Sequence, residues 1–141
     1  IDTFIARYSI NLEKAEEVKK IEDRLLKEEK FVVESIHFAF GKEQVESDFK
    51  AILDSLAVVL RLHPDWKLRI EGHTDSWGTE AYNQDVSKHR AVAAKVYLLH
   101  IGVDPTQLVK ALGLGMSQPI GDNETPAGRY KNRRVEFKLE K

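Results

Sequence analysis

Three rhythms of apolar and polar residues run along this chain, and each predicts its own kind of element. Between Leu12 and Lys30, Val18, Ile21, Leu25 and Leu26 return at helical spacing within a dense run of Glu and Lys, which predicts an amphipathic helix. Charge pairs four residues apart, such as Glu16 with Lys20, support it. From Phe31 to Phe38 the run is β-branched and aromatic and reads as a strand. Val45, Phe49, Ile52, Leu53, Leu56, Val59 and Leu60 then mark a helix to about Leu62. His63-Pro64-Asp65 ends it, because the residue before a proline is pushed out of the helical region. Trp66 to Glu71 alternates apolar and charged, as a half-buried strand does. A further helix covers Glu80 to Ile101 and stops at Gly102, with Ser87, Ala91, Ala94, Leu98 and Ile101 as its buried stripe. Asp104-Pro105-Thr106-Gln107 predicts a short turn with its own cap, Leu108 to Leu114 a strand, and Arg134 to Leu139 another.

The order after the leading helix is thus β-α-β-α-β-β. Helices of this kind cover one face of a mixed sheet, so the expected fold is α/β, an α+β sandwich of two layers with an additional N-terminal helix. The change of rhythm at Phe31 divides the chain into an N-terminal linker helix, 1–31, and a domain, 32–141. A length of 141 residues suits one domain with a proper core. A net charge of −1 supplies no field for nucleic acid and no polybasic anchor for a membrane surface, so a ligand must be recognised by a local site. Cysteine is absent, which excludes disulfides and thiolate metal sites. No apolar run approaches the ~20 residues that span a bilayer. The chain begins at Ile1, and the expectation is a fragment whose export signal and anchor lie outside it.

One set of residues is not what a simple core requires: Gly72-His73-Thr74-Asp75, Tyr82-Asn83, Ser87, Arg90-Ala91, and far downstream Gly128-Arg129 and Asn132-Arg133-Arg134-Val135. Asn83 and Arg90 are two helical turns apart, so they share a face about 10 Å apart along the axis. Asp75 falls in the loop between the Trp66–Glu71 strand and that helix, where open sheets commonly take ligands. A carboxylate and a guanidinium can therefore face one small pocket. Equally, Asp75 can cap a turn, and Arg90 can pair with it internally to fix the loop. Gly78, Gly128 and Asn132 read as turn residues, the glycines for positive φ and the Asn as a tie. Arg134 reads as a solvated or sheet-edge arginine.

In order and spacing, this set resembles the OmpA-like peptidoglycan-binding domain of outer-membrane proteins, lipoproteins and flagellar stator proteins, over about Val32 to Leu139. The resemblance implies non-covalent binding of peptidoglycan through the diaminopimelate of its stem peptide, in the periplasm, as a wall anchor for a membrane protein or lipoprotein. It implies no catalysis and no cofactor. Asp75, with Thr74 beside it, would accept from the ligand's ammonium, and Arg90 would clamp its carboxylate. Asn83 would add an amide contact, the loop near Gly41 backbone groups, and Arg133 one border of the pocket. Two departures stand out. Trp77 replaces a small or hydroxylated residue and can stack on a sugar, line the wall or obstruct the site. Phe38-Ala39-Phe40-Gly41 lacks an acidic residue that often follows the first Phe.

Other readings are weaker. The five histidines show no paired helical metal signature, and His73 reads as a buried, hydrogen-bonded side chain. Gly113-Leu114-Gly115 lacks the rest of a dinucleotide fingerprint, and Asn123-Glu124-Thr125 is a formal glycosylation sequon in a loop. A hydrolase built on Asp75 with Glu80 or Glu71 would need two carboxyls about 5–10 Å apart. A structural or oligomerising module driven by residues 1–31, a homodimer among its forms, is compatible with wall binding, as is a stator-type anchor.

Overall fold

A computed structural model describes residues 12–34 and 47–140. Its elements are α1 (Leu12–Glu28), β1 (Lys30–Glu34), α2 (Ser47–Leu62), β2 (Lys67–His73), α3 (Glu80–His100), a 3-10 turn (Pro105–Gln107), β3 (Leu108–Gly113), α4 (Pro126–Asn132) and β4 (Arg134–Glu140). The sheet runs β1-β4-β2-β3; β4 is antiparallel to both its neighbours, while β2 and β3 are parallel. It is the two-layer α+β arrangement with a mixed sheet that the alternation predicts. None of the described helices is long and apolar enough to cross a membrane. The expected Gly41 loop, and the strand beyond Glu34, lie outside the described residues.

The core lies between the helices and one face of the sheet. Phe31 and Val33 on β1, Val135 and Phe137 on β4, and Leu68 and Ile70 on β2 point into it. Phe137 is central, with its ring centroid 6.3 Å from that of Phe31 and 6.4 Å from that of Phe49 on α2. Val18, Ile21 and Leu25 of α1 belong to the same core, so the amphipathic face of the leading helix is spent on this domain's own interior.

Several local expectations need correction. A helix, α4, intervenes between β3 and β4, so the order after α1 is β-α-β-α-β-α-β. Seven residues are too few for an apolar rhythm; the element is announced instead by Thr125, whose hydroxyl accepts from the Gly128 N–H, and by Pro126 in its first turn. Gly128 has no positive φ: its α-carbon packs against the Asp122 backbone, which a Cβ would strike. The 3-10 turn is capped by Asp104 as expected, but Gln107 does not reach back to the cap. Its amide donates to the carbonyls of Leu60, His63 and Trp66, where α2 ends and β2 approaches. Ile101 is the half-buried cap residue of α3 rather than part of its fully buried stripe.

Candidate functional site

Two glycines set the position of α3 over the strand ends. Gly72 on β2 lies against the Ser87 carbonyl and Gly113 on β3 against the main chain of Lys88, approaches that no side chain could share. Ser87 reinforces the seam, accepting from the Gly115 N–H at 2.8 Å and donating to the Gln84 carbonyl. As a result the polar edge of α3, Asn83 and Arg90, is buried beside the end of β2.

The chain leaving β2 is fixed at every step. The Thr74 N–H donates to the Gly115 carbonyl and its hydroxyl to the Asp75 carbonyl. Asp75 is buried, with Oδ1 accepting from the Trp77 N–H at 2.9 Å and Oδ2 from Arg133 Nη1 at 2.7 Å. The Ser76 N–H donates to Asn123 Oδ1, Gly78 takes φ +94°, and Thr79 caps α3 by accepting from the Tyr82 N–H. The turn-capping role open to Asp75 is therefore real, but the arginine that pairs with it is Arg133, at the end of α4, rather than Arg90.

Arg90 stands close enough to feel both. Burial pulls its pKa down to about 10; the neighbouring Arg133 guanidinium pulls the same way, while Asp75 and Tyr82 pull it up. Arg90, Arg133 and Asp75 thus form one electrostatic unit of two guanidiniums and one carboxylate, chemistry suited to an anionic group. Asn83, two turns earlier on α3, is buried and directs Nδ2 towards Met116 Sδ. Trp77 is 65% exposed, beside the unit rather than inside it.

Sequence reasoning missed Asn123. Its Oδ1 accepts from both Ser76 N–H and Asn132 Nδ2, tying the Asp75 loop to α4 and so to Arg133. Asn132 is the expected tie, accepting from the N–H groups of Ile120 and Gly121 and donating to the Gly121 carbonyl. Nothing in the spacing of Asn123 marks it; the contact joins residues 47 positions apart.

Behind the site, on the sheet face away from the helices, lies the one group among the described residues whose spacing would suit a metal: Glu71, His73 and Glu136. Three cations already serve its two carboxylates: Arg134 Nε is 2.6 Å from Glu136, while Lys138 Nζ and Arg69 Nε are 2.9 and 3.0 Å from Glu71. With those three cations in place, two of them half-buried, the acceptor positions of both carboxylates are engaged without a metal. Arg134 is therefore neither solvated nor at an edge; it is buried and also donates to the Gln118 carbonyl at 3.0 Å. His73 is buried but makes no hydrogen bond through either ring nitrogen, so the expected hydrogen-bonded histidine is not found.

Comparison with known proteins matches residues 37–133 to the OmpA family. The chain is 42% identical over 106 residues to outer membrane porin F of Pseudomonas aeruginosa, covering 74% of this chain and 30% of the porin. It is 39% identical over 98 residues to the outer-membrane lipoprotein YfiB of the same organism, covering 70% of this chain and 58% of YfiB. The fold matches the crystal structure of the peptidoglycan-associated lipoprotein from Burkholderia pseudomallei with a TM-score of 0.69 at 30% identity, over 77% of this chain and 91% of that one. The chain thus spans three-tenths of the porin's length and somewhat over half of YfiB's.

Proposed function

The chain belongs to the OmpA family, and from that premise we propose that it binds peptidoglycan non-covalently, holding the diaminopimelate of the stem peptide, and so anchors a cell-envelope protein to the wall. The observation that carries this reading is the buried Arg90 guanidinium set beside the Asp75–Arg133 pair at the end of β2. The distal centre of diaminopimelate bears an ammonium and a carboxylate. Arg90 takes the carboxylate through two parallel charge-assisted hydrogen bonds, with Arg133 at its flank. Asp75 takes the ammonium: a carboxylate has roughly four acceptor directions, and Trp77 N–H and Arg133 use two of them. Thr74 and Asn83 supply the remaining polar wall. The relative of known structure named as peptidoglycan-associated supports the ligand class. The role is binding rather than catalysis, since Asp75 is already committed to Arg133 through Oδ2 and to the Trp77 N–H through Oδ1.

Titration calorimetry with a meso-diaminopimelate stem tripeptide tests it. Saturable binding by the wild-type chain should fall at least tenfold in Arg90→Ala and about as far when lysine replaces diaminopimelate, because both remove one half of the same buried contact. Arg90→Lys, which keeps the charge but loses the fork, should bind in between. Wild-type affinity in a folded Arg90→Ala variant would show that the site is wrong.

A further inference from the structure

We propose that Trp77 is a stacking platform for a pyranose ring of the glycan strand, an inference that rests on the stem-peptide reading above and extends it to the sugar. Trp77 is the most exposed large hydrophobic side chain among the described residues, at 65%. Single exposed apolar side chains are common on protein surfaces, so the exposure counts only together with the geometry around it. The Trp77 backbone, by contrast, is held firmly. The Trp77 N–H is bonded to Asp75, the preceding Ser76 to Asn123, the following Gly78 occupies a left-handed conformation, and Thr79 starts α3. The turn is also seated on Tyr82, itself 39% exposed: a Cβ placed on Gly78 would lie 3.4 Å from the Tyr82 ring. The result is a rigid aromatic rim attached through one hydrogen bond to the carboxylate at the centre of the site.

Charge decides what the rim can hold. The face of an indole attracts cations, but the ligand's one ammonium is already assigned to Asp75, and a second cation would be repelled by the Arg90 and Arg133 guanidiniums. A neutral ring with an apolar C–H face has no such conflict, and a large, rigid aromatic side chain covers it at low entropic cost. The tether fits as well. Diaminopimelate is the third residue of the stem, so about 10 Å of extended peptide separates it from the sugar, and the Cα of Trp77 is within about 7 Å of that of Asp75 by chain connectivity. A sugar delivered on such a tether binds as if intramolecularly, so even a modest contact counts.

The test compares the stem tripeptide with the same tripeptide on its N-acetylglucosaminyl-N-acetylmuramyl disaccharide, and adds chitotetraose as a sugar without peptide. The chain has two tryptophans, and Trp66 stacks on His63 with ring centroids 3.8 Å apart, so Trp66→Phe leaves Trp77 as the sole tryptophan, read by excitation at the red edge where tyrosine does not absorb. In the wild-type chain the disaccharide should tighten binding about tenfold, which is about 1.4 kcal/mol. Trp77→Ala should remove most of that gain and alter tripeptide affinity far less; Trp77→Tyr should keep part of it. Chitotetraose should shift the Trp77 emission at millimolar concentration. Equal affinity for the two muropeptide forms in the wild-type chain, or equal losses for both in Trp77→Ala, would overturn the platform while leaving the peptide site standing. A Trp77 response to chitotetraose without any tripeptide binding would uphold the platform and reject the peptide reading; no response to any ligand would reject both.

Discussion

The centre of the sheet is buried on both faces, by opposite means. Towards the helices, Leu68, Ile70, Val135 and Phe137 present only carbon, and close packing does the work. On the other face the same strands carry Glu71, His73, Arg134 and Glu136, each no more than 5% exposed. Here each carboxylate has its cation and each cation an acceptor, except that His73 makes no hydrogen bond. One face would survive most apolar exchanges of similar volume; the other is held by pairing, in which each group's cost depends on its partner being present. The paired face is also the one that turns, at Arg134 and His73, directly into the Arg133 and Asp75 of the candidate site.

The largest effect should come from the apolar face. Phe137→Ala removes a fully buried ring between two others and should cost about 4 kcal/mol in urea unfolding. On the paired face, Glu136→Leu and Arg134→Met should each cost about 3 kcal/mol, because each strands its partner's charge. The double variant should be less destabilised than either single one. Additive losses would mean the pair is not a unit.

That second face marks the limit of what the sequence tells. The alternation from Trp66 to Glu71 gives the strand and assigns Leu68 and Ile70 to the core, since side chains alternate across a strand. It says nothing about how deep the charged half lies: period reports facing, not depth. Arg134 is misjudged for that reason, whereas His73 is buried as expected and departs only in its missing hydrogen bond. The same holds at the site. Arg90 and Asn83 could be placed on one edge of α3 because helical spacing is local, and Asp75 because it follows a strand. That Asp75 pairs with Arg133 depends on α4, seven residues long and without an apolar stripe, and on Asn123 reaching the Ser76 N–H. Contacts across 58 and 47 positions leave no periodic trace.

A pH series should separate the faces next. Burial, with Arg134 beside it, pulls the His73 pKa from 6.5 down to about 4, against the opposing pull of Glu136 and Glu71. Between those values the unfolded chain binds a proton that the folded chain refuses, so stability falls as pH drops from about 6.5 to 4, by roughly 2–3 kcal/mol. Burial pushes the Glu136 carboxyl up, but the Arg134 hydrogen bond and charge bring it below its ordinary value of 4.5, so its contribution is lost as pH falls from there, at the acid end of the histidine's range and below. His73→Gln should flatten the slope between pH 6.5 and 4. An unchanged slope would place the titration elsewhere.

The finest division runs within the paired face, between two lysines directly opposite each other on neighbouring strands. Lys30 on β1 is exposed, whereas Lys138 on β4 is half-buried and reaches Glu71 at 2.9 Å. Like charges so placed repel, so removing either relieves the other by a few tenths of a kcal/mol. For Lys138 that relief is outweighed: Lys138→Met leaves the buried Glu71 to Arg69 alone and should cost about 1 kcal/mol net. Lys30→Thr loses a solvated charge whose repulsion from Lys138 is offset by its attraction to Glu136, and should change stability by less than about 0.5 kcal/mol at low salt and not at all at 1 M. If both lysines behaved like Lys30, the Glu71 pairing would be ornamental and the second face would owe its burial to something other than charge; if Lys30 behaved like Lys138, the paired region would extend to the edge of the sheet.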